Sequence, residues 1–358
     1  MHQQLKKEDK PKNKKRIAII INAILFSCNV FLGLITFAVC YAHLFSALYL
    51  DLLISAILFL LLLNVLFGIF WIFRKPIFAI FTLVVLLVNC LSFPDFFQFN
   101  KEKEVVLNQK QVCLQTYNVH HFKDHESSNT IDAVLHLAEK NEVDILCIQE
   151  HAKSESYKEY KDYFSYHTPK EESVVIYSRY PIIHSEHINF IESSHSGTIA
   201  DIVINDQTVR IISVHLQTTG ISSNWRLINE IRDHGLLTHA QGMAIRRLKQ
   251  ILTANTLKRV MQADNVCELI NQSPYHVILC GDFNDAPRSK TYRRIAEKLQ
   301  DAFRTAGSGY GASYGSPIPF VRIDHVFHSK EIIPHKFTYQ SAPLSDHRPA
   351  FFRFSLGN

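Results

Sequence analysis

"CGDFND", Cys280 to Asp285, follows directly on the apolar run "HVILC", His276 to Cys280. Acidic and amide side chains at the tip of a buried strand are costly unless something uses them. A turn, a metal or a reaction would each account for Asp282, Asn284 and Asp285. The same pattern recurs along the chain. Asn118 ends "VCLQTYN", Glu150 ends "DILCIQE" and His215 lies in "SVHLQ". Asp324 is in "RIDHVF", and Asp346 with His347 opens the last strand in "LSDHRPAFF". One polar strand end is a turn; six such places, all Asn, Asp, Glu or His, read as the rim of one cleft.

The elements around these residues alternate between strand and helix. "VDILCIQ" (Val143 to Gln149) is a continuous apolar run, expected as a buried strand. "SVVIYS", "IADIVI" and "TVRIISVHL" are further strands, the last two joined by a short turn at Asn205 to Gln207. "TIDAVLHLAEK" places Ile131, Val134, Leu135 and Ala138 at helical spacing. A long helix is expected over 241–271, with Arg259 and Gln262 bracing it or facing solvent, and another helix from about Lys290 to Leu299. Hairpin and crossover connections together predict a mixed α/β sandwich of two sheets and not a purely parallel sheet.

The candidate rim is chemically coherent. Glu150, Asp346 and Asn118 offer hard oxygen donors, which suit Mg²⁺ or Mn²⁺ and not zinc. His215 and His347 are donors to phosphate oxygens or proton carriers, and Asp324 or Asp282 would orient a histidine or a water. A hard cation, carboxylates and two histidines fit metal-assisted hydrolysis of a phosphate ester. The chain has neither a glycine-rich phosphate loop nor a Gly-x-Ser-x-Gly elbow, so kinase and serine-hydrolase chemistry find no support.

At these residues the chain resembles the endonuclease/exonuclease/phosphatase (deoxyribonuclease-like) superfamily. The resemblance runs from about Val112 to Phe354, through "TYNVHHF", "DILCIQE", "VVIYSRYPI", "SVHLQ", "GDFND", "RIDHVF" and "SDHRPAFF" in that order. It implies a two-sheet α/β sandwich and a site with Mg²⁺ or Mn²⁺. Glu150 would be the principal metal ligand, with Asn118 and Asp346 nearby in the metal and phosphate site. Asp282 would position or deprotonate the attacking water, Asn284 would hold a phosphate oxygen, and His347, oriented by Asp324, would stand beside the scissile phosphate. His215 matches the second histidine of the deoxyribonuclease, sphingomyelinase and inositol phosphatase branches, and argues against abasic-site repair. Where some nucleases carry an acidic ligand, this chain has His120, and no carboxylate partner for His215 is evident; Glu159 is too loose a match. His120, His121 and His125 read as loop residues, and Asp285 as a turn former. Tyr310, Tyr314 and Phe320 lie in a Gly-rich loop where they either contact substrate or stay solvated.

The first quarter of the chain is different. Three apolar runs, Ile17 to Val39, Leu48 to Phe73 and Pro76 to Phe93, each approach or exceed the ~20 residues that cross a bilayer core. Seven Lys/Arg precede the first run and Arg74–Lys75 separate the second from the third, while 40–47 hold none. The positive-inside rule then predicts a cytoplasmic N-terminus and an extracytoplasmic soluble part. The expected organisation is a basic tail (1–16), three transmembrane helices (17–94), a connector (95–110) and a catalytic domain (111–358). It implies an integral protein of a plasma or inner membrane.

Of 38 basic and 33 acidic residues, nine and four fall in 1–95, leaving 29 of each for the soluble part. That part is formally neutral, so the overall pI reports membrane topology and not a nucleic-acid footprint, although a local basic patch remains compatible with it. None of the seven cysteines forms a CxxC pair or other metal-type spacing, and those in the soluble part are expected to be buried thiols.

The expected activity is water attack on phosphorus by a membrane-anchored, Mg-activated phosphodiesterase, nuclease or phosphatase. Its expected partners are the bilayer and a phosphate-ester substrate, either nucleic acid or a phospholipid head group, with no obligatory protein partner. A sphingomyelinase-like phospholipase C is the alternative. A catalytically inactive membrane scaffold has no need for the complete set of polar residues.

Overall fold

The structure, a computed structural model, describes residues 5–41, 56–90, 93–102, 110–120, 130–151, 163–170, 172–233, 238–315, 321–342 and 344–357. His121, His125, Glu159, Phe320 and the start of the second apolar run lie outside the described residues. The chain forms two compact units, one holding the N-terminal helices and the other the chain from Pro94 onward.

The first unit comprises α1 (Leu5–Cys40), α2 (Ile57–Arg74) and α3 (Pro76–Cys90). Pro76 explains the break between the last two: proline pre-sets the first helical φ and pushes its predecessor out of the helical region, and Lys75 sits at φ −156°, ψ 88°. Among the described residues two stretches, Lys14–Cys40 and Ile57–Arg74, are long and apolar enough to cross a membrane. The third expected span is shorter: α3 has 15 residues, about 22 Å against a ~30 Å hydrocarbon core.

Burial in this unit runs opposite to a water-soluble bundle. Ile19, Phe31, Leu34, Phe59, Phe73 and Ile77 are exposed, while Asn29, Thr36, Asn64, Thr82 and Asn89 are buried. Asn29 Oδ1 accepts from Trp71 Nε1 (3.1 Å) and Thr82 Oγ1 (2.8 Å), and Asn64 Nδ2 donates to Thr36 Oγ1 (2.8 Å). Polar side chains thus join all three helices from within.

The second unit contains fourteen described strands. In chain order they begin with β1 (Phe97–Phe99), β2 (Val112–Asn118), β3 (Ile145–Gln149), β4 (Tyr166–His167) and β5 (Val174–Ser178). Next come β6 (Ile182–Asn189), β7 (Ser196–Ile204), β8 (Gln207–His215), β9 (His276–Asp282) and β10 (Gln300–Asp301). The last are β11 (Ser308–Tyr310), β12 (Asp324–His328), β13 (Ile332–Tyr339) and β14 (Ala350–Leu356). Helices α4 (Thr130–Lys140), α5 (Trp225–Asp233), α6 (His239–Asn271), α7 (Lys290–Ala296) and α8 (Ala302–Ala306) fall between them.

Two six-stranded sheets carry the unit, in the orders β10-β12-β9-β8-β7-β6 and β13-β14-β2-β3-β5-β4. Their facing sides form one core: Leu114, Ile145, Ile176 and Phe352 from one sheet meet Ile202, Ile211, Ile278 and Val326 from the other. Strands covered on both faces read as unbroken apolar runs, which is why "VDILCIQ" and "HVILC" lack alternation. Val134 and Ala138 of α4 cover one sheet, and Ala263 and Val266 of α6 cover the other. Asn205 and Asp206, at φ 48° and 65°, make the two-residue turn that pairs Ile204 with Gln207.

Each sheet holds one parallel pair, β2 with β3 and β8 with β9, and its other neighbours are antiparallel. The C-terminal ends of these four parallel strands therefore lie on the same edges as the N-terminal ends of β12 and β14. In register, Asn118 sits opposite Gln149, His215 opposite Asp282, and Asp282 opposite Asp324. That topology gathers polar strand ends from both halves of the sequence. Part of the stretch expected as a connector also belongs to this unit: β1 pairs with β11, and the buried Asp95 binds Arg288 at 3.0 Å.

Candidate active site

A glycine sets the geometry of the opening stretch. Gly281 has φ +131°, and a Cβ there would lie 2.0 Å from the Val214 carbonyl oxygen. Only glycine allows β9 to approach β8 this closely next to the site. Asn284 (φ 51°), Glu150 (φ 54°) and His120 (φ 45°) are also left-handed, a conformation costing non-glycine residues of order 1–3 kcal/mol. Each lies just past a strand end, where the left-handed step turns the chain sharply.

The eight predicted residues converge. Glu150, His215, Asp282, Asn284, Asp346 and His347 line a cavity of about 510 Å³, together with His120 and Tyr314. Asn118 and Asp324 are buried behind them. Asn118 Nδ2 donates to Glu150 Oε1 (3.1 Å) and to Asp282 Oδ2 (3.0 Å), while its Oδ1 accepts from the His120 backbone N–H (3.0 Å). Asn118 thus bridges two carboxylates through its amide nitrogen, with its oxygen already engaged.

Asn284 is committed in a similar way. Its backbone N–H donates to Asp282 Oδ1 (2.8 Å), and its Nδ2 donates to the Leu216 carbonyl (3.0 Å) and Asp282 Oδ2 (3.2 Å). Both amide hydrogens hold the chain around Asp282.

Asp324 Oδ2 lies 2.9 Å from His347 Nδ1, and the other ring nitrogen faces Asp282 Oδ2 at 3.8 Å and Asp346 Oδ1 at 4.0 Å. Burial opposes charge on His347, but Asp324, Asp282 and Asp346 outweigh it and lift the imidazole to about 10. Burial lifts Asp282 to about 7, helped by Asp324 and opposed by His347 and the bonds from Asn284 and Asn118. At neutral pH the cleft therefore holds an imidazolium beside a carboxyl poised to exchange a proton.

Ligand-type atoms of Asp282, Asp324 and His347 lie within 4.8 Å of one another, close enough to hold a metal ion. His347 Nδ1 is bonded to Asp324, however, and a protonated imidazole is not a ligand. Glu150 and Asp346, with side chains 19% and 35% exposed, suit a hard cation better, because both present carboxylates to the cleft. These residues fit Mg²⁺ or Mn²⁺.

His215 stands between the halves of the site, its Nε2 3.7 Å from both Glu150 Oε1 and Asp282 Oδ2. The carboxylates facing it are thus residues already assigned to the rim. His195 packs edge-on against its ring at 4.6 Å, and burial lowers its affinity for a proton. His120 Nδ1 approaches Asp346 Oδ1 to 3.9 Å, which brings a loop histidine to the cleft.

Of the two roles left open for Arg259 and Gln262, bracing and not solvent exposure is found, although their partners were not foreseen. Arg259 is fully buried, donating to Asp285 Oδ2 (3.3 Å) and to the Gln217 carbonyl (3.1 Å). Gln262, one helical turn on, accepts from the Gln217 N–H at 2.8 Å. Asp285 is therefore half of a buried ion pair that ties "GDFND" to α6, not simply a turn former. Three-residue spacing on one helix face was the available signal.

Residues 116–347 match the endonuclease/exonuclease/phosphatase family. The chain belongs to this family. Its named activities are hydrolyses of phosphate esters, and the two-sheet sandwich is its deoxyribonuclease-like fold. A family protein from Bacteroides thetaiotaomicron is 13% identical with a TM-score of 0.53, over 70% of this chain and 100% of that one. TDP2 from C. elegans is 18% identical at 0.50, over 69% and 76%. A humanized D. rerio TDP2 is 15% identical at 0.48, over 68% and 99%. No curated protein matches the chain.

Proposed function

We propose that this family member is a membrane-anchored, extracytoplasmic phosphodiesterase that uses Mg²⁺ or Mn²⁺ and directs water at phosphorus. The observation that carries the chemistry is the Asp324–His347 pair standing over Asp282 in a cleft shared with Glu150 and Asp346. Glu150 and Asp346 would hold the cation. Bound there, it would supply Lewis-acid polarisation of a phosphoryl oxygen and offset developing charge.

The chain's own groups divide the remaining work. Asp282, raised to about 7, takes a proton from the attacking water. Asn118 and Asn284 fix both of its oxygens, so the carboxylate is oriented before substrate arrives. His347, kept cationic by Asp324, faces the phosphate oxygens and gives its Nε2 proton to the departing one. His215 adds a second ring nitrogen to the phosphate pocket. Asn284 contacts a phosphate oxygen only by giving up one of its two amide bonds.

The inverted burial of the N-terminal unit supports a bilayer setting, because exposed aliphatics around a hydrogen-bonded polar interior match lipid and not water. The Thr82 bond to Asn29 supports α3 as a third member of that bundle despite its length. The seven cations before the first span support a cytoplasmic N-terminus.

The test is a hydrolysis panel with the full chain in detergent: plasmid DNA, RNA, sphingomyelin-type lipid, inositol phosphates and bis-p-nitrophenyl phosphate, each with Mg²⁺, Mn²⁺ or EDTA. Turnover of a phosphodiester that EDTA abolishes is expected. Inactivity on every ester, in wild type and His347→Ala alike, would remove the enzymatic reading. A cytoplasmic signal from a C-terminal reporter fusion would remove the topology.

A further inference from the structure

The cleft is lined by two chemically unlike sets of side chains. One set is the acidic and histidine residues; the other is apolar, Ile221, Trp225, Val321 and Ile323. Trp225 is 58% exposed and Ile221 43% exposed, so both reach from the cleft to its outer surface.

Their position is built. Gly220, at φ +83°, makes the turn that presents them, and a Cβ there would meet Asn255 Nδ2 at 2.6 Å. Asn255 Nδ2 donates to the Thr219 carbonyl (3.0 Å), and Asn224 Nδ2 donates to the Gly220 carbonyl (2.7 Å). The turn is thereby clamped to α6, with Ile221 and Trp225 on its outer side.

The first three-quarters of α6 has a matching composition. From His239 to Ala263 it contains Arg246, Arg247, Lys249, Lys258 and Arg259 and no acidic residue. Arg246, Arg247 and Lys249 are exposed, as are Met243, Ile245 and Leu257. In a soluble part that is formally balanced as a whole, this is a local cationic surface studded with aliphatics. Cations, aliphatics and an exposed tryptophan together are the composition of a protein element lying in a membrane interface.

We propose that the Ile221–Trp225 lip and the exposed face of α6 dock on an anionic phospholipid surface, so that the phosphodiester entering the cleft is a lipid head group. This rests on the phosphodiesterase reading and supplies its substrate class. Charge complementarity argues for the anionic surface. The aliphatic neighbours argue for lipid over nucleic acid, since bases stack on aromatic faces and gain little from Ile, Met or Leu.

The chain has only two tryptophans, Trp71 and Trp225, so Trp225 is its own reporter. The full chain, reconstituted in phosphatidylcholine vesicles with or without phosphatidylglycerol, is compared with Trp225→Phe, and the difference emission belongs to Trp225. Trp71→Phe gives the same signal by a second route. With phosphatidylglycerol present, lipids brominated along the acyl chain should quench the difference emission about twofold while iodide quenches it weakly. Omitting phosphatidylglycerol, or adding Arg246→Gln with Arg247→Gln, should restore iodide access. Full iodide quenching with no effect of bromine overturns the proposal, as does quenching by a single-stranded oligonucleotide in its place. Failure of the anchor itself reads out separately, as release of the chain from vesicles at alkaline pH. Failure of the hydrolase reading shows in the ester panel and leaves the quenching result intact.

Discussion

Replacing Asp324 with Asn tests the pair that carries the chemistry. The carboxylate lies 2.9 Å from His347 Nδ1 and is the largest influence raising an imidazole otherwise discouraged by burial. His347 moves from an ordinary 6.5 to about 10. At about 1.4 kcal/mol per unit, the site favours the imidazolium by roughly 5 kcal/mol. Asparagine retains a hydrogen-bonding oxygen but removes the charge, leaving only Asp282 and Asp346 to hold the proton. The alkaline limb of kcat/KM for bis-p-nitrophenyl phosphate should then fall by about two pH units, with kcat near neutrality little changed, kcat at about pH 9 down by about tenfold, and KM nearly unchanged. A bound divalent cation lowers both limbs together, so the comparison is made at one metal concentration. An alkaline limb that stays in place, or a loss confined to KM, would refute the claim that Asp324 acts by keeping His347 charged.

Further outcomes follow from other parts of the molecule. Glu150→Gln should cost about 10²-fold or more in kcat and weaken activation in a Mg²⁺ titration. Gly281→Ala places a methyl 2.0 Å from the Val214 carbonyl and should fail to accumulate as folded protein. Arg322 Nη1 donates to Asp301 Oδ2 at 2.8 Å with both side chains buried, so Arg322→Met should lower stability by about 3–5 kcal/mol in thermal denaturation. His325, driven to about 3 by burial and by Arg322, is neutral in the folded protein, while the unfolded chain protonates near 6.5. Its stabilising share is therefore complete above 6.5 and lost as pH falls towards 3, on the order of 5 kcal/mol in all. His325→Gln should flatten the loss of stability between about pH 6 and pH 4.

The core strands were legible because burial on both faces leaves an unmistakable run, as in Val112–Asn118 and His276–Asp282. β6 was not, since "IIHSEHIN" is a largely exposed edge strand with few apolar residues. β13 was hidden by Pro334, which the sheet accommodates with a register shift before Lys336. The site residues stood out because each interrupts or ends an apolar run. His195, Gln217 and Arg259 act through tertiary proximity across distant segments, which no local pattern encodes. Even the roles of Asn118 and Asn284 needed structure, because only the hydrogen bonds show their amides turned inward to Asp282.

The most direct measurement follows oxygen. Bis-p-nitrophenyl phosphate is hydrolysed by the full chain in ¹⁸O-enriched water with Mg²⁺, and the products are weighed. Water attack on phosphorus predicts ¹⁸O in the phosphomonoester, unlabelled nitrophenol and no turnover with His347→Ala. Label in the nitrophenol, or equal turnover by the variant, would contradict the account.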